Sequence, residues 1–255
     1  MQEAMPLLEV KNVSRYFGSL AAVDDLSFEV CQGEVFGIAG PNGSGKTTAI
    51  NVITQIIPPS KGEIFFDGHP IHRLKSHDIC HLGIARTFQQ PTVFETMSIA
   101  DNISVGGTFG KKGARDGAAE AEICRLLDFV GLDKDPDTPA KKLIVNDKKK
   151  LMLAVALATN PKLLILDEPC AGLTTVESKE IINLIKKVND LGTTVMLIEH
   201  NMQVLMNISD RVMIIDHGTK LCQGTPDFVC CDARVIETYL GRNSVKGGKT
   251  FAGAE

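Results

Sequence analysis

The sequence predicts an α/β protein built on a parallel sheet with helices on both faces. Three observations carry that prediction. A glycine-rich loop of the form G-x-x-x-x-G-K-[ST] occupies residues 40–48, between an apolar strand-like run and a helix-like run. A second apolar run, residues 163–166, ends on two adjacent acids, Asp167 and Glu168. Beyond it, short apolar runs alternate with amphipathic stretches, the pattern of strands joined by crossover helices.

Residues 7–10 and 26–30 read as short strands, the second with clear alternation. Gly33-Glu34 turns the chain into Val35-Phe36-Gly37-Ile38-Ala39, apolar throughout and suited to a buried strand. The loop Gly40-Pro41-Asn42-Gly43-Ser44-Gly45-Lys46-Thr47-Thr48 follows, and Ala49 to Ile53 suit the start of a helix. Residues 62–68 form another strand bounded by turns, and residues 84–88 a further one that ends at Gln89-Gln90-Pro91. Residues 106–117 hold five glycines and read as a mobile loop.

Residues 118–130 are helical, with Ile123, Leu126, Leu127 and Val130 on one face, and residues 151–159 favour helix strongly. The segment from about 91 to 160 is therefore an inserted helical region with no clear strand. After the strand at 163–166, residues 176–191 make an amphipathic helix with Ile181, Leu184, Ile185, Val188 and Leu191 inward. Thr174 and Glu177 supply a capping box. Strands at 193–198 and 211–215 flank one more helix, and the Gly- and Lys-rich tail, 242–255, is expected to be disordered.

A chain of 255 residues suits one large α/β domain or a domain with a subdomain. Its net charge of -4, dispersed basic residues, two Tyr and no Trp argue against nucleic acid as a partner. Seven cysteines at scattered spacings, with no C-x-x-C, fit reduced thiols in a cytosolic setting. His69, His72, His77 and His81 lie close together without a metal-ligand pattern and read as surface residues. No signal peptide is evident, and no apolar run reaches the ~20 residues of a spanning helix. Any membrane role is expected to come through a partner.

The candidate site follows from the loop. Its glycines let successive N–H groups turn inward as an anion nest, and the helix N-terminus adds partial positive charge there. Lys46 can reach β- and γ-phosphates, and the Thr47 hydroxyl can hold Mg²⁺, so the loop is read as a nucleoside triphosphate site. In an open α/β sheet, ligands sit at the carboxyl ends of the strands. Asp167 is then a candidate for Mg²⁺, and Glu168 for the base that activates water. His200, ending the strand at 193–198, can reach the γ-phosphate. Gln89, at the end of the 84–88 strand, can bind Mg²⁺ or the water, with Gln90 as the competing residue.

Together and in this order these residues resemble the ATP-binding-cassette ATPases, over residues 7–241. The resemblance implies one ATPase domain: a P-loop NTPase core, an N-terminal antiparallel β subdomain and a helical insert at about 91–160. It implies ATP and Mg²⁺ as ligands, with Phe17 stacked on adenine and Tyr16 as the alternative. It makes Gln89 the Q-loop glutamine, Asp167 the Walker B acid, Glu168 the catalytic base and His200 the switch histidine. Ala171-Gly172-Leu173-Thr174 falls where the D-loop belongs.

Three segments, Arg86-Thr87-Phe88-Gln89, Cys170-Ala171-Gly172-Leu173-Thr174 and Val235-Ile236-Glu237-Thr238-Tyr239-Leu240-Gly241, are most similar to ATPase subunits of branched-chain amino acid importers. Urea-importer and lipopolysaccharide-export ATPases share much of this. The implied partners are transmembrane permease subunits, a second ATPase subunit and, indirectly, a solute-binding protein. The implied location is peripheral, on the cytoplasmic face of the cell membrane. Repair and iron–sulfur assembly ATPases of the superfamily, and P-loop kinases, are competing classes. The acid pair with the later His200 and the helical insert argue against a kinase.

One segment departs from the family pattern. Where Leu-Ser-Gly-Gly-Gln belongs, the chain reads Leu143-Ile144-Val145-Asn146-Asp147, followed by Lys148-Lys149-Lys150. Ile144 cannot donate a hydrogen bond, and Cβ atoms at 145 and 146 hinder close backbone approach. Asn146 tolerates a left-handed turn. The lysines read as a solvated helix face, with substitute positive charge near phosphate as the alternative. Since this loop covers the nucleotide of the opposing subunit in the family, a degenerate copy favours a heterodimer.

Overall fold

In the computed structural model, which describes residues 6–110 and 120–240, the chain opens on a long hairpin. Strands β1 (Pro6–Phe17) and β2 (Leu20–Cys31) are antiparallel and 12 residues each, far longer than the runs 7–10 and 26–30 predict. The difference has a local cause. Asn12 and Asp25 take positive φ (50° and 49°), and the register slips around them. Asn12 Nδ2 donates to Asp25 Oδ1 at 2.9 Å, and Asn12 N–H to Ser27 Oγ at 2.8 Å. An irregularity of this kind breaks the alternation of inward and outward side chains by which a strand is recognised.

Next come β3 (Val35–Ala39), α1 (Lys46–Ile53), β4 (Lys61–Phe66) and β5 (His69–Pro70). The order β2-β1-β4-β5 makes a four-stranded antiparallel sheet. The chain then passes through α2 (Ser76–Leu82), β6 (Ile84–Thr87), α3 (Ile99–Phe109), α4 (Glu120–Val130), α5 (Val145–Ala158), β7 (Leu163–Asp167) and α6 (Thr175–Asp190). It finishes with β8 (Thr194–Ile198), α7 (Met202–Ile208), β9 (Arg211–Asp216), β10 (Thr219–Gly224), α8 (Pro226–Cys231) and α9 (Ala233–Leu240).

These elements form two units, Met1–Lys75 with Thr194–Glu255, and Ser76–Thr193. In the first, β3 lies between β8 and β9, parallel to both, and β10 adds antiparallel to β9. A strand covered on both faces loses the polar half of its alternation, which is why β3 and β8 are wholly buried and, apart from Thr194 at the start of β8, apolar. In the second unit β6 and β7 pair in parallel, Ile84 beside Leu163 and Thr87 beside Leu166. The α/β class with parallel and antiparallel sheets is as the sequence predicts.

Helix α4 buries Ile123, Leu126, Leu127 and Val130, the predicted face. On α6 the face Ile181, Leu184, Ile185 and Val188 is buried, but Leu191 is exposed. It serves as the C-cap, and Gly192 (φ 93°) then turns the chain away. The Thr174–Glu177 capping box forms, and the Thr174 N–H it accepts holds the Glu177 carboxyl below its usual range.

The loop expected at 106–117 begins as helix instead, because α3 runs through Gly106 and Gly107 to Phe109. Gly106 has a tertiary reason to be glycine: a Cβ there would meet the Val155 carbonyl oxygen of α5. Close packing of two helices overrides the helix-breaking tendency of the residue. Residues 111–119, like the tail at 242–255, lie outside the described residues.

Helix α5 starts at Val145, well before the apolar run at 151–159, and its lysines are not a solvated face. Lys149 is buried; Lys148 Nζ reaches Glu95 Oε1 at 2.6 Å, and Lys150 Nζ reaches Glu180 Oε2 at 3.1 Å. Each lysine is anchored by an acid or a carbonyl brought to it by the fold, which a local reading of three consecutive lysines does not reveal. Strand β10 was not anticipated either, since its six residues are mostly polar and only Cys222 is buried.

Candidate functional site

The first unit supplies the glycine-rich loop. It leaves the carboxyl end of β3 and enters α1, and Gly40, Gly43 and Gly45 have φ of 159°, 80° and 105°. Gly45 caps α1 without any side-chain bond, and the first turn of α1 carries no acid, which leaves the positive end of the helix without a side-chain counter-charge of its own. Two backbone bonds brace the loop from the β9–β10 turn: Gly218 N–H donates to Ser44 O at 2.8 Å, and Asp24 N–H to Gly218 O at 2.9 Å. Gly45 has no room for a side chain, because a Cβ would meet the Ala22 carbonyl.

Lys46 is buried, and its Nζ donates to Gly40 O at 2.7 Å and Pro41 O at 3.0 Å. These two carbonyls curl the side chain over the loop. Ser44 Oγ is buried with no hydrogen-bond partner among the described residues. A nest of N–H groups, an ammonium and an orphaned hydroxyl form a cradle for an anion with several acceptor oxygens. Thr47 stands exposed on the first turn of α1.

In the same unit β8 ends at Ile198, followed by Glu199 and His200. Glu199 is fully buried, His200 is 60% exposed, and His200 Nδ1 lies 3.9 Å from Glu199 Oε2. Asn201 caps α7 by accepting from Gln203 and Val204 N–H groups, which fixes the turn that presents His200. Phe17, at the end of β1, is 46% exposed, and the Arg15 guanidinium sits 4.8 Å from its ring centroid. Tyr16 is engaged through its hydroxyl with Asp24 Oδ1 at 2.9 Å, with the Lys61 ammonium over its ring.

The second unit supplies the acids. β7 carries Asp167 to its carboxyl end, where Arg86 of β6 meets it: Nη2 to Oδ2 is 2.9 Å, with the side chains 7% and 8% exposed. Glu168 follows with φ 47°, a left-handed conformation that costs a non-glycine residue of order 1–3 kcal/mol. Gln89 Nε2 donates to Glu168 Oε2 at 2.6 Å, which brings the two together. Gln90 makes no such contact with the acids; its carbonyl accepts from Thr92 Oγ1. From α5, Lys149 Nζ donates to Pro169 O at 2.8 Å and to Glu168 O at 3.3 Å.

Comparison with known proteins gives the site its context. The family described as ABC transporter matches residues 23–171. The high-affinity branched-chain amino acid transport ATP-binding protein LivG of Escherichia coli strain K12 is 34% identical over 252 residues, 93% of this chain and 99% of LivG. The chain belongs to the ABC transporter family. BraF of Pseudomonas aeruginosa, described in the same words, is 35% identical over 250 residues, 92% of this chain and 98% of BraF. An ATP-binding cassette of an ABC transporter in its ADP conformation has a TM-score of 0.82 at 31% identity, covering 93% of this chain and 100% of that one. A nucleotide-free cassette from an ABC transporter has a TM-score of 0.83 at 30% identity.

As an ABC ATPase, the chain has ATP hydrolysis as its activity. Its loop fits a nucleotide on the evidence of the cradle itself. Among the described residues no helix is long and apolar enough to cross a membrane.

The left-handed turn that Asn146 would tolerate does not form. Asn146 lies in the first turn of α5 and is buried, while Ile144 and Val145 are exposed at the helix start. Ile144 occupies the N-cap with extended backbone and no capping bond. Two residues to which the sequence reading gave no place beside the acids, Arg86 and Lys149, stand against them. A charged residue inside a strand paired with an acid-ended strand signals Arg86. The spacing Asn146, Lys149, Leu153, Ala156 places Lys149 on the inward face of α5.

Proposed function

We propose that this protein is the ATP-hydrolysing subunit of an importer for branched-chain amino acids. It works peripherally at the cytoplasmic face of the cell membrane, on transmembrane permease subunits served by a solute-binding protein. One observation carries the reading: likeness to branched-chain amino acid transport ATP-binding proteins extends over 93% of this chain and 99% of LivG.

In this reading Phe17 stacks on adenine, since Tyr16 is engaged elsewhere. The backbone of Gly40, Pro41, Asn42, Gly43, Ser44, Gly45, Lys46, Thr47 and Thr48 holds the phosphates. Lys46 exchanges its carbonyl partners for β- and γ-phosphate oxygens. Thr47, Asp167 and Gln89 would hold Mg²⁺, which would supply charge neutralisation on the phosphates. Glu168 orients and deprotonates the attacking water. Gln89, bonded to Glu168, releases it as the γ-phosphate arrives. His200 contacts the γ-phosphate, and its exposure leaves it room to do so.

The loop at 143–147 favours a heterodimer. A partner ATPase with an intact signature covers the nucleotide on this chain, and this chain covers the partner's poorly, because Ile144 offers no hydroxyl and two Cβ atoms obstruct the approach. Affinity purification from membranes tests the reading. Recovery of a permease and a second, different ATPase, with ATP-dependent leucine uptake after reconstitution, supports it. Recovery of soluble proteins alone, or full hydrolysis by a homodimer of this chain, refutes it.

A further inference from the structure

We propose that Lys149 is a positioning residue for Glu168, tying the second turn of α5 to the turn that presents the base. This rests on the reading of Glu168 as the base.

Lys149 is 5% exposed on the inward face of α5. A buried ammonium is costly to desolvate, and that penalty can exceed what its bonds return. Stability is thus a poor reason for a lysine here. Its reach supplies a better one: Nζ donates to two consecutive carbonyls, Pro169 O at 2.8 Å and Glu168 O at 3.3 Å.

Those carbonyls belong to the strained turn, in which Glu168 holds φ 47°. A left-handed residue without glycine's freedom persists only where its surroundings hold it. Packing does not do so alone. Beneath the turn lies a cavity of about 20 Å³, near the size of one water, lined by Leu153, Leu166, Ile181 and Pro169 beside the Lys149 stem. Within the turn Ala171 N–H also donates to Glu168 O at 3.1 Å, and the ammonium adds the tie from the turn to α5. The base is then held at two levels, its carboxylate by Gln89 at 2.6 Å and its backbone by Lys149.

The placement of Lys149 links this restraint to the loop before it. Lys149 lies four residues after Val145, about 6 Å along the helix axis. A shift of the exposed Ile144–Val145 end is passed through one helical turn to the carbonyls of the base. The segment 143–147, whatever it offers a partner, is mechanically joined to the chemistry of its own subunit.

The test compares Lys149→Met, which keeps length without a donor, Lys149→Arg, which restores donors, and Glu168→Gln, all in the assembled transporter. Steady-state hydrolysis of MgATP gives kcat and KM, nucleotide binding is measured separately, and melting temperature checks the fold. A misplacement of ~1 Å can cost ~100-fold in rate. Lys149→Met should therefore lower kcat at least about tenfold, with KM and ATP affinity within about twofold and the melting temperature lowered by about 5 °C or less, since two carbonyls lose a donor. Lys149→Arg should recover most of the loss. The proposal is overturned if Lys149→Met keeps kcat within about twofold while Glu168→Gln abolishes turnover. It is also overturned if rate, affinity and melting temperature fall together and Arg restores none of them. Near-normal turnover in Glu168→Gln overturns the assignment of the base, and the positioning role with it.

Discussion

Removing the Arg86 guanidinium should cost more than any other single change of charge near the acids. The pair Arg86–Asp167 is 2.9 Å long, and both side chains are more than nine-tenths buried. Arg86→Met keeps most of the stem volume, so the main effect is a buried carboxylate stripped of its cation. Breaking such a pair from one side costs ~3–5 kcal/mol. Loss of the guanidinium from the Phe88 face, where it sits 4.9 Å from the centroid, adds roughly 0.5–1 kcal/mol. At ~2–4 °C per kcal/mol for a chain of this size, melting should fall by at least about 6 °C. The assay is thermal melting of the nucleotide-free protein in a cycle of wild type, Arg86→Met, Asp167→Asn and the double variant. Because the cost lies in the orphaned charge, adding Asp167→Asn to Arg86→Met should recover about half of the loss. The reasoning fails if Arg86→Met melts within 2 °C of wild type, a margin set at roughly the effect of 1 kcal/mol. It also fails if the double variant is no more stable than Arg86→Met.

Two further outcomes follow from single contacts. Gly106→Ala should destabilise the protein by ~1–3 kcal/mol in denaturant unfolding despite alanine's better helix propensity, because the added Cβ meets the Val155 carbonyl of the neighbouring helix. Asp232 is held well below its usual range by bonds from Arg234, the shortest 2.7 Å, so its contribution is full above the unfolded value of about 3.9 and is lost as pH falls through the lower folded value. Asp232→Asn should therefore flatten the fall in melting temperature between about pH 5 and pH 2, and an unchanged slope would count against that assignment.

The phosphate loop was legible because everything it needs is consecutive: an apolar strand, glycines at fixed spacing, Lys46 and Thr47, then a helix. The acid pair was legible for the same reason, since a strand end can be seen in the run that precedes it. What the sequence hid depends on partners distant along the chain. Asn12 and Asp25 disguise the length of the first hairpin through a bulge. Gly106 looks like a break until Val155 is seen beside it. Lys149 looks like surface between Lys148 and Lys150 until Glu168 and Pro169 are folded against it. Leu191 fits the helical period, yet the helix ends one residue before it, so periodicity carried the buried face one step too far.

The central claim is that this chain hydrolyses ATP with Glu168 as its base. The most direct measurement is MgATP turnover by the assembled complex carrying wild-type or Glu168→Gln protein, with bound nucleotide assayed in parallel. General-base catalysis contributes ~10²–10⁴-fold, so turnover at this site should fall by that order while ATP, and not ADP, remains bound. Hydrolysis near the wild-type rate with ADP on the protein would contradict the account.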